Sequence, residues 1–211
     1  RTNPCFKLWH LSGALESPSK DQALMTFYEC NQPTKPEINA ALNNNLILTS
    51  KHSQAIFESV GVKSNLVPLA FDDFSFHETK SKYYEDDRIV FNLAGKFEKR
   101  KNHEKIIKTW AKKFGNNKKY YLQCALWNHF FSEEDNKANF RGCLNGKSYF
   151  NVQFLAYMPD NASYNDYLNS SDIILSMSGG EGWGLPEFTS LCLGKHAVVL
   201  NAHAYKEWAT N

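Results

Sequence analysis

The apolar run at residues 173–177 ends at Ser178 and gives way to Gly179-Gly180-Glu181-Gly182-Trp183-Gly184-Leu185-Pro186-Glu187, after which a helix-like segment runs to Gly194. No other stretch constrains the fold as strongly. A strand that dissolves into glycines and restarts as a helix, with Pro186 in the first helical turn, demands an α/β unit. The turn aims backbone N–H groups and the helix's positive end at whatever lies above the strand, which is the chemistry of an anion cradle. Glu181 lies inside that cradle. Phosphate repels a carboxylate there unless the carboxylate has another task, such as accepting hydrogen bonds from sugar hydroxyls. A ligand carrying both phosphate and sugar fits; the alternative is an ordinary strand-to-helix turn whose glycines serve positive φ.

The rest of the chain repeats this α/β logic. Strands are expected at residues 5–11, 24–28, 46–49 and 65–69, with a short helix at 37–42. A second helix follows Ser50 as N-cap, with Ala55, Ile56 and Val60 on its apolar side and Gly61 at its end. Residues 71–87 are polar and aromatic without a clear period and read as a linker between residues 1–70 and 88–211. The alternation restarts at 88–94, a near-continuous apolar run suited to a strand buried on both faces. Asn102 then caps a helix whose Ile107, Trp110, Ala111 and Phe114 form a buried stripe and leave the lysines outside. Strands at 118–126, 151–156, 172–177 and 197–201 follow, with a short helix capped by Ser163 and another at 186–193. Residues 127–150 show no readable pattern. Repeated βα units make Rossmann-like parallel sheets with ligands at the carboxyl ends of the strands.

Composition removes several classes of function. The net charge of +2 over 211 residues is too small to argue for nucleic acid, even though ten lysines and arginines crowd residues 96–119. Cys5, Cys30, Cys124, Cys143 and Cys192 are odd in number and scattered without a CxxC pair, so neither a disulfide framework nor a zinc site is suggested, and a reducing, cytoplasmic setting is expected. Asp72-Asp73 and Asp86-Asp87 read as solvated loop charge rather than metal ligands. No apolar run is long enough to span a membrane. A chain that starts at Arg1 and stops after one last strand reads as a fragment.

The strand at 88–94 ends in Ala94-Gly95-Lys96-Phe97, and the next helix starts near Lys101-Asn102. Lys96 and Lys101 therefore share the carboxyl-end layer with the glycine turn, a pairing that suits a diphosphate: a lysine supplies point charge that neutralises a departing diphosphate without a metal. Taken alone, the two lysines are solvated charge. GxGxxG and GxxxxGK[ST] are both missing, which sets aside dehydrogenases and P-loop ATPases.

Three phrases occur in order: Val67-Pro68-Leu69-Ala70-Phe71-Asp72; Leu93-Ala94-Gly95-Lys96 with Lys101-Asn102; and Glu181-Gly182-Trp183-Gly184-Leu185-Pro186 followed by Gly194. Together they resemble the retaining GT-B glycosyltransferases of the glycosyl transferases group 1 family, from about residue 46 onward. The resemblance implies an α/β GT-B fold of Rossmann-like sheets: a partial acceptor-side N-terminal domain and most of a C-terminal domain that holds a nucleotide-sugar donor. It implies transfer to a saccharide or other hydroxyl acceptor with retention and no cofactor or metal. Lys96 and Lys101, beside Gly95, match the basic pair that binds the donor diphosphate. Glu181 matches the glutamate that contacts the transferred sugar, and Ser178, Gly182, Trp183, Gly184 and Leu185 supply main chain to sugar and phosphate. Tyr157 and Met158 fall where the family borders the nucleobase. The second glutamate of the family's E-x7-E motif is Thr189 here, with Glu187 two positions earlier, so the ribose contact differs. Glu29 and His10 are weaker candidates on the acceptor side. The alternative is a non-catalytic fragment that binds a nucleotide or a partner. Oligomeric state and peripheral membrane contact of a longer protein stay open.

Overall fold

The computed structural model describes residues 3–13, 19–80 and 87–209. They form two compact units, Arg1–Ala70 with Gly180–Gly184 and Asn201–Asn211, and Phe71–Gly179 with Leu185–Leu200.

The first unit is built on a parallel sheet of β1 (Cys5–Leu8), β2 (Gln22–Thr26), β3 (Asn45–Leu48) and β4 (Asn65–Leu66), in that order across the sheet. Leu24 lies opposite Leu46 and Met25 opposite Ile47, so apolar positions of the inner strands share a register. Helix α1 (Lys35–Leu42) starts with a reciprocal capping box: Thr34 Oγ1 accepts from Glu37 N, and Thr34 N donates to the Glu37 carboxylate at 2.7 Å. Helix α2 (Lys51–Ser59) is capped by Ser50, as its sequence predicts, and Gly61 leaves it at φ 80°. Its buried face is different from the expected one. Ser53 and Phe57 are buried and Ile56 packs beside them, whereas Ala55 and Val60 are exposed. The aromatic ring wins the core position: Phe57 packs edge-on against Tyr28 at 4.9 Å, and the Ser53 hydroxyl donates to Tyr28 O. The expected strand at 5–11 stops at Leu8 and turns into a 3-10 helix at Leu11–Gly13.

The second unit holds a five-stranded parallel sheet in the order β7-β6-β5-β8-β9, from β5 (Ile89–Ala94), β6 (Tyr120–Ala125), β7 (Val152–Phe154), β8 (Ile173–Leu175) and β9 (His196–Val198). β5 is central, and its apolar run is explained by two cores. Leu93 packs with Ile107, Trp110 and Leu122 on one face, while Ala94 packs with Tyr167, Leu168 and Ile174 on the other. Helix α3 (His103–Phe114) buries Ile107, Trp110 and Ala111 of the stripe read from its sequence, leaves Phe114 half-buried and adds His103 and Ile106. Helix α4 (Glu133–Cys143), which occupies the stretch that showed no pattern, is capped by Ser132 and carries three carboxylates in its first turn. Helix α5 (Asn161–Asn169) is capped by Asp160; Ser163, expected as the cap, is the residue whose N–H Asp160 accepts at 2.7 Å. Helix α6 (Leu185–Cys192) follows the glycine turn.

The segment from Phe71 was expected as a linker, and its described part is bound to the second unit. Phe71 and Phe76 join the apolar cluster around Tyr167, and Asn165 and Asn169 on α5 accept from His77 N and Thr79 N. Asp86 and the rest of residues 81–86 lie outside the described residues.

Candidate functional site

In the second unit the chain beyond the carboxyl ends of β5, β7 and β8 carries Gly95, Lys96, Lys101, Tyr157, Met158 and Ser178 of the expected site residues. Gly95 continues β5 at φ 107°, a conformation that L side chains rarely adopt, and its N–H donates to Ala125 O at 3.1 Å. A Cβ built on Gly95 would lie 3.3 Å from Lys101 Nζ, so the aliphatic stem and head of Lys101 are laid across this glycine. Lys96 and Lys101 therefore converge on one turn. The Lys96 side chain is 46% exposed; its ammonium stands 3.4 Å from Glu98 Oε1 and 5.0 Å from the centre of the Phe130 ring.

The chain after Gly95 is tied to the segment beyond β8 by main-chain and side-chain bonds. Residues Lys99–Lys101 form one 3-10 turn; Gly179 N donates to Arg100 O at 2.9 Å, and Asn102 Nδ2 donates to Met177 O at 2.8 Å. Two expectations change here. Asn102 stands at the N-cap position of α3, as expected, but it has φ 54° and makes no side-chain cap bond: its amide is used across the sheet instead. The Gly179 N–H, expected among the anion-binding amides, already has a protein acceptor. Ser178 is fully buried and its hydroxyl accepts from Arg100 Nη1 at 3.4 Å, while Arg100 Nη2 pairs with Glu98 at 3.2 Å.

Tyr157 and Met158 follow β7. With Gly95, Lys96, Trp127, His129 and Tyr164 they line a cavity of about 150 Å³, so the Gly95 and Lys96 turn and the residues expected beside a nucleobase share one space. Burial, and then the Glu187 charge, push the Tyr164 phenol well above its ordinary range, so it stays neutral. Glu187 and Thr189 on α6 are both buried, and Leu185 is exposed.

Residues Gly180–Gly184 belong to the first unit, where packing dictates their identities. A Cβ on Gly180 would stand 2.3 Å from Glu29 O, and one on Gly182 would stand 2.8 Å from Phe27 Cβ. Thr49 Oγ1 donates to Gly182 O at 2.7 Å, and Trp208 Nε1 donates to Trp183 O at 2.9 Å. Glu181 and Trp183 are buried, at 5% and 4% exposure, and Gly184 has φ 83°. Of the acceptor-side candidates, Glu29 offers its carbonyl to the Gly180 approach and His10 is exposed beside Trp9.

Sequence reasoning missed Glu98, Arg100, Trp127, His129 and Phe130. A signal was present: the aromatic run Trp127-Asn128-His129-Phe130-Phe131 begins just beyond the end of β6, the neighbour of β5.

No protein-family model matches the chain, and no curated protein matches it in sequence. Solved structures match it in fold. Sucrose-phosphate synthase from Thermosynechococcus elongatus superposes with a TM-score of 0.73 at 14% identity, over 89% of this chain and 52% of that one. The Anabaena protein HepE, solved in complex with UDP-glucose, gives 0.70 at 15% identity, over 90% and 56%. The C-terminal domain of LpcC, a glycosyl transferase group 1 family protein from Francisella tularensis, gives 0.53 at 14% identity, over 67% and 76%. The fold is that of GT-B glycosyltransferases, with a parallel α/β sheet in each unit. The chain spans about half the length of the first two proteins.

Proposed function

We propose that this chain serves a metal-independent, retaining glycosyltransferase that moves a sugar from a nucleoside diphosphate sugar to a hydroxyl of a saccharide or other acceptor. One observation carries the reading: Lys96, and Lys101 laid across Gly95, meet at one strand end, and the Gly95 and Lys96 turn shares a cavity with Tyr157 and Met158. Two ammonium groups at a turn suit a diphosphate, and the aromatic and thioether rim suits a base. The UDP-glucose bound by HepE supports this chemistry by likeness of fold.

In transfer, the bond from the anomeric carbon to the diphosphate oxygen breaks as the bond to the acceptor oxygen forms, and the acceptor's proton passes to the departing diphosphate. Negative charge grows on the diphosphate, where Lys96 and Lys101 are held to stabilise it. Glu181 is the carboxylate assigned to the sugar hydroxyls, Ser178 and the main chain from Gly182 to Leu185 to sugar and phosphate, and Thr189 to the ribose. Five scattered free thiols support a cytoplasmic location.

The test is equilibrium titration of the chain with UDP, GDP and ADP in EDTA. Lys96→Ala and Lys101→Ala are each expected to weaken the tightest nucleotide by about tenfold, the effect of losing one charge-assisted contact. Unchanged affinity in both variants, with unchanged circular dichroism, overturns the assignment, and loss of binding in EDTA overturns metal independence.

A further inference from the structure

The loop after β6 places His129 at the mouth of the cavity that holds Gly95, Lys96 and Tyr157. Its conformation is imposed by two buried asparagines. Asn128 Oδ1 accepts from Phe130 N, Asn128 Nδ2 donates to Phe97 O, and Asn128 N donates to Asn136 Oδ1 at 2.9 Å. Asn136 Nδ2 returns to Asn128 O at 3.0 Å from the first turn of α4. Asn128 is 4% exposed and Asn136 is 0% exposed, so the loop is fixed by satisfied amides in the interior. What it presents outward is aromatic: His129 is exposed and Phe130 is 81% exposed. A rigid loop that holds rings in solvent beside a basic cavity has the construction of a binding platform.

The His129 and Tyr157 rings meet edge to face, 4.3 Å between centroids and 86° between planes. In that arrangement the ring that supplies the edge keeps both faces, and the other keeps one. A flat, weakly hydrated ring system can therefore stack on the pair within the cavity that Lys96 also lines.

Building on the nucleotide-sugar reading, we propose that His129 is a donor-binding residue that contacts the nucleoside of the donor, working with Tyr157, and that Phe130 positions Lys96. This division of labour predicts separable effects. His129→Ala should weaken UDP, GDP and ADP by about tenfold, within the range of a lost base-stacking contact, and leave inorganic pyrophosphate unchanged. His129→Phe, which keeps the ring, should restore most of the nucleotide affinity. Phe130→Ala should weaken pyrophosphate and nucleotides alike.

Nucleotide binding that depends on Lys96 and Lys101 but ignores His129→Ala overturns the inference and leaves the transferase reading standing. Equal losses for pyrophosphate and nucleotides in His129→Ala also overturn it, since the residue then acts on the phosphate site. No binding of any of the four probes to the unaltered chain overturns both. Asn128→Ala supplies a further arm: releasing the loop should reproduce the His129→Ala pattern, and a variant that keeps full nucleotide affinity argues against the platform.

Discussion

Two glycine turns stand at carboxyl ends of strands in this molecule, and they are glycine for different reasons. Around Gly180 and Gly182 the neighbours are other main chain and a Cβ, at 2.3 Å and 2.8 Å from where a methyl would sit. At Gly95 the neighbour is the tip of a flexible lysine at 3.3 Å, and the constraint is φ 107°. The first turn is glycine because the backbone of β2's extension approaches it. The second is glycine because the chain must bend and leave a surface on which Lys101 can lie. A glycine-rich sequence therefore records close approach, and it is the added charge and space of the second turn that make it a candidate ligand site in its own right.

The largest effect follows from the first turn. Gly180→Ala drives a methyl into a peptide carbonyl that cannot move alone, and overpacking of this kind costs about 3 kcal/mol. Urea denaturation should show a lower midpoint with an unchanged slope. A variant as stable as the parent would break the comparison, because Gly180 would then be chosen for its ligand. Gly95→Ala is the counterpart. Its strain is about 2 kcal/mol, the lysine tip can yield, and the chief loss should be in UDP affinity. If stability falls as far as in Gly180→Ala while binding survives, the two turns do not differ as argued.

Much of the fold was legible before the structure. The Ile107, Trp110 and Phe114 stripe, the Ser50 cap and the both-faces apolar run of β5 are local patterns, and local patterns can be read. Helix α4 was not legible, because it buries only Asn136, Phe140 and Cys143 and the first of these is a polar residue satisfied across space. Its Ser132 cap with Asp135 three residues on was a usable signal. The Lys96 and Lys101 pair was visible as spacing, but the partners that set it, Glu98, Arg100 and the Phe130 ring, depend on how strand ends are brought together. Asn102 shows the limit most plainly: it stands at the N-cap position its sequence marks, yet its side chain ties to Met177 O rather than capping α3.

That tie supplies a smaller prediction about the second turn. Asn102→Gly keeps the left-handed backbone at φ 54° but removes the amide that reaches Met177 O. The expected loss is about 1 kcal/mol, the net value of one hydrogen bond, with weaker UDP binding as the Lys99–Lys101 turn loosens from β8. Asn102→Ala adds the cost of left-handed strain to the same deletion. Equal stability in the two variants would show that the backbone conformation, rather than the bond, is dispensable.

The smallest effect is a pH dependence confined to the first unit. His52, half-buried in the first turn of α2, has its pKa lowered from the ordinary 6.5, by burial first and then by His203 and Lys206, with Glu207 opposing. The His203 ring stands 6.2 Å away, and the positive end of α2 adds to the cost of an imidazolium. The folded state thus takes up this proton less readily than the unfolded chain. Stability is intact above about 6.5 and is lost as pH falls below it, the unfolded state binding more protons. The Asp72 and Asp160 carboxyls, held below their ordinary 3.8 by hydrogen bonds from Ser75 and Ser163, respond only in stronger acid, outside the window from pH 7 to 5. Because Thr49, which holds Gly182 O, directly precedes the Ser50 cap of the same helix, loosening α2 should loosen the crowded glycine turn. Thermal melts at pH 7 and pH 5 should show a fall in Tm that is smaller in His52→Gln; an identical fall in both proteins assigns the acid sensitivity elsewhere.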